Sequence, residues 1–238
     1  MALALADIIG NALSDVTSSG ATRTVNLPTT DVVAGMMMYV VISINKDAVD
    51  IGEVLTNGDY DKVDSFQTLD ASSTPRCEVW KRLVTAADAT TDFTSSDTAI
   101  GHIAVAFAVD GAAEAIDVVG TAATGTGVEV TNPAVTASAT GGLTIRISLR
   151  DDDDQASQIV PSGHTAINWE KQASPTNGSS IFVSVELQPS TSVGSEVTDD
   201  SNDEEWGGQT FVIAEAVAGG SIVPILSQGY SRYVGKLT

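Results

Sequence analysis

At 238 residues, with 42% hydrophobic but only 5% aromatic residues, the chain is long enough for one large β domain whose core is built from Val, Ile, Leu and Ala. Eleven Lys and Arg against 31 Asp and Glu give a formal net charge of -20, which repels nucleic-acid phosphates and anionic membrane surfaces. The lone Cys77 excludes an intrachain disulfide, and no run approaches the ~20 apolar residues that span a bilayer.

The opening stretch places Leu5, Ile8, Ile9, Leu13 and Val16 at helical spacing, with Gly10 as the weak point. Residues 1–20 are therefore expected to form a short amphipathic helix. Its face of Leu5, Ile8, Ile9 and Leu13 is a candidate assembly contact, with packing inside the chain as the alternative. Asp7 and the missing basic n-region argue against a secretory signal.

From Thr22 the pattern changes to strand and turn. Strands are expected at residues 22–27, 36–44, 60–66, 76–84, 100–109, 116–119, 143–149, 166–170 and 181–187. Asn57-Gly58, Asp110-Gly111, Gly141-Gly142 and Asn177-Gly178 are among the turns between them. Leu143, Ile145, Ile147 and Leu149 alternate with Thr144, Arg146 and Ser148, and Ile181, Val183, Val185 and Leu187 with Phe182, Ser184 and Glu186. Strands with one apolar face bury it most simply when two antiparallel sheets pack face to face. The expected fold is all-β, an antiparallel two-sheet β-sandwich of jelly-roll type over residues 21–189. Trp80 and Trp169 are expected where its halves meet, and Phe182 on the outer face. Residues 190–238 read as an acidic linker followed by a C-terminal strand or tail. The basic, aromatic end of that tail, with Tyr230, Arg232 and Tyr233, is a second candidate assembly contact.

Chemistry is sparse. Asp151, Asp152, Asp153 and Asp154 form the most acidic run and are weak candidates for a cation site. Consecutive carboxylates diverge, however, and no calcium-loop spacing surrounds them. His102 and His164 belong to no spaced ligand set; His102 is expected to face outward or pack at a sheet edge, and His164 to sit in a turn. Neither has a local signature tying it to Cys77, which reads as a buried structural thiol. No nucleophile elbow or phosphate loop is present, so no catalytic residue, metal or cofactor is assigned and the chain is expected not to be an enzyme. Trp206, beside Gly207-Gly208, is the one aromatic candidate for a ligand platform.

Four stretches carry a resemblance: Asp31 to Gly35 leading into residues 36–44; Val79-Trp80-Lys81-Arg82-Leu83-Val84 with Ala87-Asp88 and Phe93-Thr94-Ser95; residues 103–107; and Ala134-Val135-Thr136 running to Gly142-Leu143. Over residues 22–189 the chain resembles β-sandwich modules of tailed-phage virion proteins, the capsid-decoration, tail-fibre and appendage types. That resemblance implies a structural role on a virus particle assembled in the host cytoplasm, foremost a capsid-decoration protein. The alternative is a tail-fibre or tail-associated adhesin that binds a host-surface glycan or protein receptor. The partners implied are capsid or tail subunits and further copies of the chain, with no nucleic acid and no membrane.

Overall fold

The computed structural model describes residues 2–16, 20–45, 55–68, 75–86, 88–99, 101–151, 159–172, 178–188 and 190–216. The strands are β1 (Ile8–Val16), β2 (Gly20–Asn26), β3 (Met37–Asn45), β4 (Asp61–Gln67), β5 (Arg76–Leu83), β6 (Thr90–Ala99), β7 (Gly101–Val109), β8 (Ala112–Val119), β9 (Ala123–Asn132), β10 (Val135–Thr136), β11 (Leu143–Arg150), β12 (Thr165–Gln172), β13 (Ser179–Leu187), β14 (Ser192–Val193) and β15 (Glu196–Glu215). All pairings are antiparallel. One sheet has the order β1-β7-β3-β5-β4, the other β12-β13-β11-β15-β8, with β9 also paired to β15. Each sheet draws its strands from one half of the chain, and the short Asp110-Gly111 link between β7 and β8 carries the chain across. Strands of a jelly roll alternate between sheets, and these do not.

Alternation in the sequence explains the layers. Along β7, Ile103, Val105, Phe107 and Val109 point into a core shared with Leu143, Ile145, Ile147, Leu149, Val183, Phe211 and Ile213 of the other sheet. Between them Ala104, Ala106 and Ala108 face a second core. Their small side chains let a covering layer, made by the β2–β6 ribbon and residues 27–36 and 55–60, approach closely. β3 has both faces buried: Met37, Tyr39 and Val41 enter the first core, and Met38, Val40 and Ile42 the second. A strand buried on both sides loses its polar alternation, which is why residues 36–44 read as one apolar run.

The expected N-terminal helix is not formed. Leu5–Asp7 makes a single 3-10 turn, and the chain then enters β1, which pairs with β7. The cause is a bulge between Ile9 and Asn11 at Gly10, whose φ of 60° suits glycine and whose missing Cβ would lie 2.9 Å from Pro28 Cβ. The extra residue shifts strand parity, so Ile8 and Leu13, five apart, both pack on the inter-sheet core, while Ile9 packs on the second. That spacing imitates a helix.

In the segment expected as an acidic linker and a C-terminal strand or tail, the acidic stretch and the strand after it form one strand, β15. β15 lies inside the second sheet, pairing with β11, β8 and β9, and its Phe211 and Ile213 are fully buried. Trp80 turns away from the inter-sheet core to pack on Phe93 at 5.4 Å between centroids. Trp169 is half-buried on β12. The aromatic contact across the sheets is instead Tyr39, stacked on Phe107 at 5.3 Å and tilted against Phe211 at 6.1 Å. Phe182 is buried within the chain. No helix among the described residues is long and apolar enough to cross a membrane.

Candidate functional site

The strongest concentration of polar side chains lies on the face of the second sheet turned away from the inter-sheet core. Alternation along β11 puts Thr144, Arg146, Ser148 and Arg150 there, and all four are buried. Arg150 donates from Nη1 to the Gly127 carbonyl at 3.0 Å and from Nη2 to that of Val128, so one guanidinium clamps the β9 backbone. Arg146 donates from Nη2 to Glu186 Oε1 at 2.8 Å and to the Gly194 carbonyl at 3.0 Å. Glu186 Oε2 in turn lies 3.4 Å from His164 Nε2, and His164 Nδ1 is 3.3 Å from Ser184 Oγ. Strand register brings these together: Arg146 sits opposite Ser184, and Thr165, next to His164, opposite Val185.

Serine, histidine and carboxylate in hydrogen-bonding order are the elements of nucleophilic catalysis. Here Ser184 is 1% exposed in the middle of β13, and the carboxylate is shared with a buried guanidinium, so the chain of contacts ties β11 and β13 to the turn that leads into β12. Beside it is a pocket of about 120 Å³ lined by Thr144, Arg146, Glu186, Gln188, Ser192 and Gly194. Arg146 Nε and Nη1 and the Thr144 hydroxyl have no hydrogen-bond partner among the described residues. Donors of this kind suit water or the oxygens of a small polar molecule. Ser184 and Glu186, two residues apart on one strand face, were visible in the sequence; their meeting with His164 and Arg146 was not.

A second charged cluster sits on the other sheet. Glu78, fully buried on β5, accepts from Lys62 Nζ at 2.8 Å and from the Trp80 indole at 3.1 Å, with Arg76 Nη2 at 3.1 Å. Lys81 and Arg82 have ordinary surface partners, the Glu114 carbonyl and Asp88. Cys77 points into the inter-sheet core, where burial, then Glu78 and Asp64, raise its thiol pKa well above the usual range. It is held as the neutral thiol, the opposite of what a nucleophile needs.

His102 is buried rather than outward-facing, because β2 lies over the ring and the Thr24 carbonyl stands 3.0 Å from Nε2. Burial lowers its pKa below the ordinary 6.5; the Thr24 hydrogen bond opposes that shift and the Arg23 charge adds to it. The folded state therefore binds fewer protons than the unfolded one below about pH 6.5. Stability from this group is complete above that pH and falls as the pH drops towards the folded pKa. Urea unfolding at pH 7.5 and pH 5.0 is expected to show a smaller acid loss for His102→Gln than for the parent chain. Equal losses would mean the ring stays neutral in both states or charges in both.

Leu5 and Ile8 line a groove of about 190 Å³ between β1 and β12, Leu13 packs on the inter-sheet core and Ile9 on the second. Trp206, the expected platform, is 8% exposed and covers Gly125, where a Cβ would lie 2.5 Å from the indole; its place on β15 opposite Arg150 and Gly125 takes it out of any loop. Asp151 donates its N–H to the Glu205 carbonyl. Asp152, Asp153 and Asp154, and Tyr230, Arg232 and Tyr233, lie outside the described residues. Among the described residues no group of three or more His, Cys, Asp or Glu is placed to hold a metal ion.

No family model, no curated protein and no solved structure matches the chain. The reading of its role rests on its own residues.

Proposed function

We propose that the chain is a non-enzymatic structural protein exposed on the surface of a virus particle, a capsid-decoration protein built as a β-sandwich and held to capsid subunits and to copies of itself. The observation that carries this reading is where the scarce reactive side chains are spent. Cys77, His102 and Ser184 are buried, and His164 and Glu186 are tied into one contact chain between strands. The reading takes the exposed loops and sheet edges as the functional surfaces. A body of formal charge -20 repels its own copies at long range, which favours ordered contacts over indiscriminate association when many copies crowd one surface. Many weak, identical contacts on a lattice then add through multivalency.

The test is electron microscopy of particles of the encoding virus, labelled with antibody against this chain. Label spread over the head is the expected result. Label confined to the tail would replace decoration with the adhesin role, and particles without label would end the virion reading.

A further inference from the structure

We propose that the pocket on the outer face of the second sheet binds the edge of a sugar ring, taking two neighbouring hydroxyls onto Arg146 and Thr144. The pocket, about 120 Å³, has a buried floor and an exposed mouth. Thr144 and Arg146 on β11 make the floor, the first fully buried and the second 2% exposed. Ser190, Ser192 and Gly194 make the mouth and are exposed. The pairing of β14 with β10 holds that mouth in place, as do the hydrogen bonds from Gln188 Nε2 to the Ala139 carbonyl at 2.8 Å and the Ser190 carbonyl at 3.1 Å.

The floor presents hydrogen-bond donors. Arg146 uses Nη2 on Glu186 and on the Gly194 carbonyl, which fixes the guanidinium plane. Its Nε and Nη1, with the Thr144 hydroxyl, have no partner among the described residues. Burying such groups costs stability, and the strand position of Thr144, opposite Glu186 and Val212, would accept valine with no change of shape. Polar side chains held there against that cost point to a ligand that completes their hydrogen bonds.

Charge and shape select the ligand. Glu186 also lines the pocket and neutralises Arg146 at 2.8 Å. An anion would meet that carboxylate in a chain of formal charge -20, and a cation would meet the guanidinium, so the balance favours a neutral molecule. Such a molecule must accept from Arg146 and Thr144 and donate to Glu186, whose oxygens each accept more than one hydrogen bond. Adjacent hydroxyls on a ring do both at a fixed spacing. At roughly 30 Å³ per water the pocket has the room of about four waters, enough for one edge of a pyranose while the rest of the ring stands in the mouth.

Titration of the isotope-labelled full chain, followed by amide NMR, decides the matter. The probes are the methyl glycosides of glucose, galactose, mannose and N-acetylglucosamine, with glycerol, acetate and inorganic phosphate beside them. At least one glycoside is expected to shift the amides of Thr144, Glu186 and Gly194 with a Kd of about 1 mM, the strength that about a dozen non-hydrogen atoms give at the efficiency of drug-sized ligands. Thr144→Val is expected to weaken that binding about fivefold and to leave Tm unchanged or raised, because it removes a ligand hydrogen bond and an unpartnered buried hydroxyl together. If that variant does not fold, Gly194→Leu takes its place: a Cβ there meets nothing within 4 Å, and the longer side chain narrows the mouth and is expected to abolish the shifts. Absence of shifts with every glycoside at about fifty times that Kd overturns the proposal, as does glycoside binding that the variant leaves unchanged. So does glycerol binding as tightly as the best glycoside, which would make the pocket a water site, or acetate or phosphate binding more tightly, which would make it an anion site. The inference goes beyond the virion role and does not rest on it: the titration is read on the free protein, so unlabelled particles would leave it standing.

Discussion

Replacing Glu78 with alanine is expected to lower the unfolding free energy by about 3–5 kcal/mol, because it removes the anion from a buried cluster and leaves its partners in place. The Glu78 side chain is fully buried, and Lys62, Arg76 and the Trp80 indole converge on its two oxygens within 3.1 Å. In the alanine variant the indole N–H loses its acceptor, and the Lys62 ammonium keeps the face of the Trp80 ring, 5.8 Å from its centroid. Lys62 and Arg76 are about a quarter exposed and can turn towards water, which places the loss near the lower end of that range. Glu78→Gln keeps the shape and one acceptor oxygen and is expected to lose less than Glu78→Ala. The exposed pair Arg82 and Asp88 supplies the contrast, since Asp88→Ala is expected to cost below about 1 kcal/mol. Urea unfolding followed by tryptophan fluorescence measures all three. A loss below 1 kcal/mol for Glu78→Ala would show that solvent already supports both cations.

Glu78 also shows where sequence reading succeeds and where it stops. The strand at residues 76–84 was expected and β5 spans Arg76–Leu83, yet nothing local says that its outward face is covered. Part of the cover is Phe93 of β6, which packs on Trp80, and β6 carries Thr, Ser and Asp at most positions. The missed strands share that character. β9 alternates half-buried with exposed residues over most of its length and has few apolar side chains, so its pairing with β15 is a matter of backbone hydrogen bonds. Acidic residues likewise disguised the first half of β15 as a linker. β1 was misread for a different reason, the parity shift at Gly10. The strands that were legible, among them residues 36–44, 76–84, 100–109, 143–149 and 181–187, have at least one face against a core.

The polar cluster was legible only in fragments. Ser184 and Glu186 share a face by simple alternation, but His164 reaches them through the turn Pro161 to His164, closed by a 3.1 Å hydrogen bond, and Arg146 through the β11–β13 register. Pairings across 20 and 40 residues leave no periodic trace in one sequence. Trp206 failed for the complementary reason. Trp206 was singled out beside Gly207-Gly208, and both glycines are small because backbone crosses them: a Cβ would lie 2.5 Å from the Gln67 carbonyl oxygen at the first and 2.2 Å from that of Thr131 at the second. Glycine there marks close approach of strands.

Phe211→Ala is expected to cost about 3–5 kcal/mol and to lower Tm by roughly 10 °C, the largest effect of a single truncation in the inter-sheet core. Phe211 is fully buried on β15, opposite Ile145 and Val119 within its own sheet, and meets Tyr39 of the other sheet. Removing the ring opens a cavity at the contact between sheets and also strips Tyr39 of one of its two aromatic neighbours. The variant also tests the division of the chain. Were residues 190–238 an appendage to a body ending at 189, the loss at Phe211 would be small and the main calorimetric transition would not move. In the structure β15 lies between β11 and β8 and its Phe211 meets Tyr39 of the other sheet, so the same substitution weakens both sheets together and is expected to lower one cooperative transition measured by calorimetry. A shift of less than about 2 °C in that transition would mean that β15 can leave the sheet without unfolding the rest.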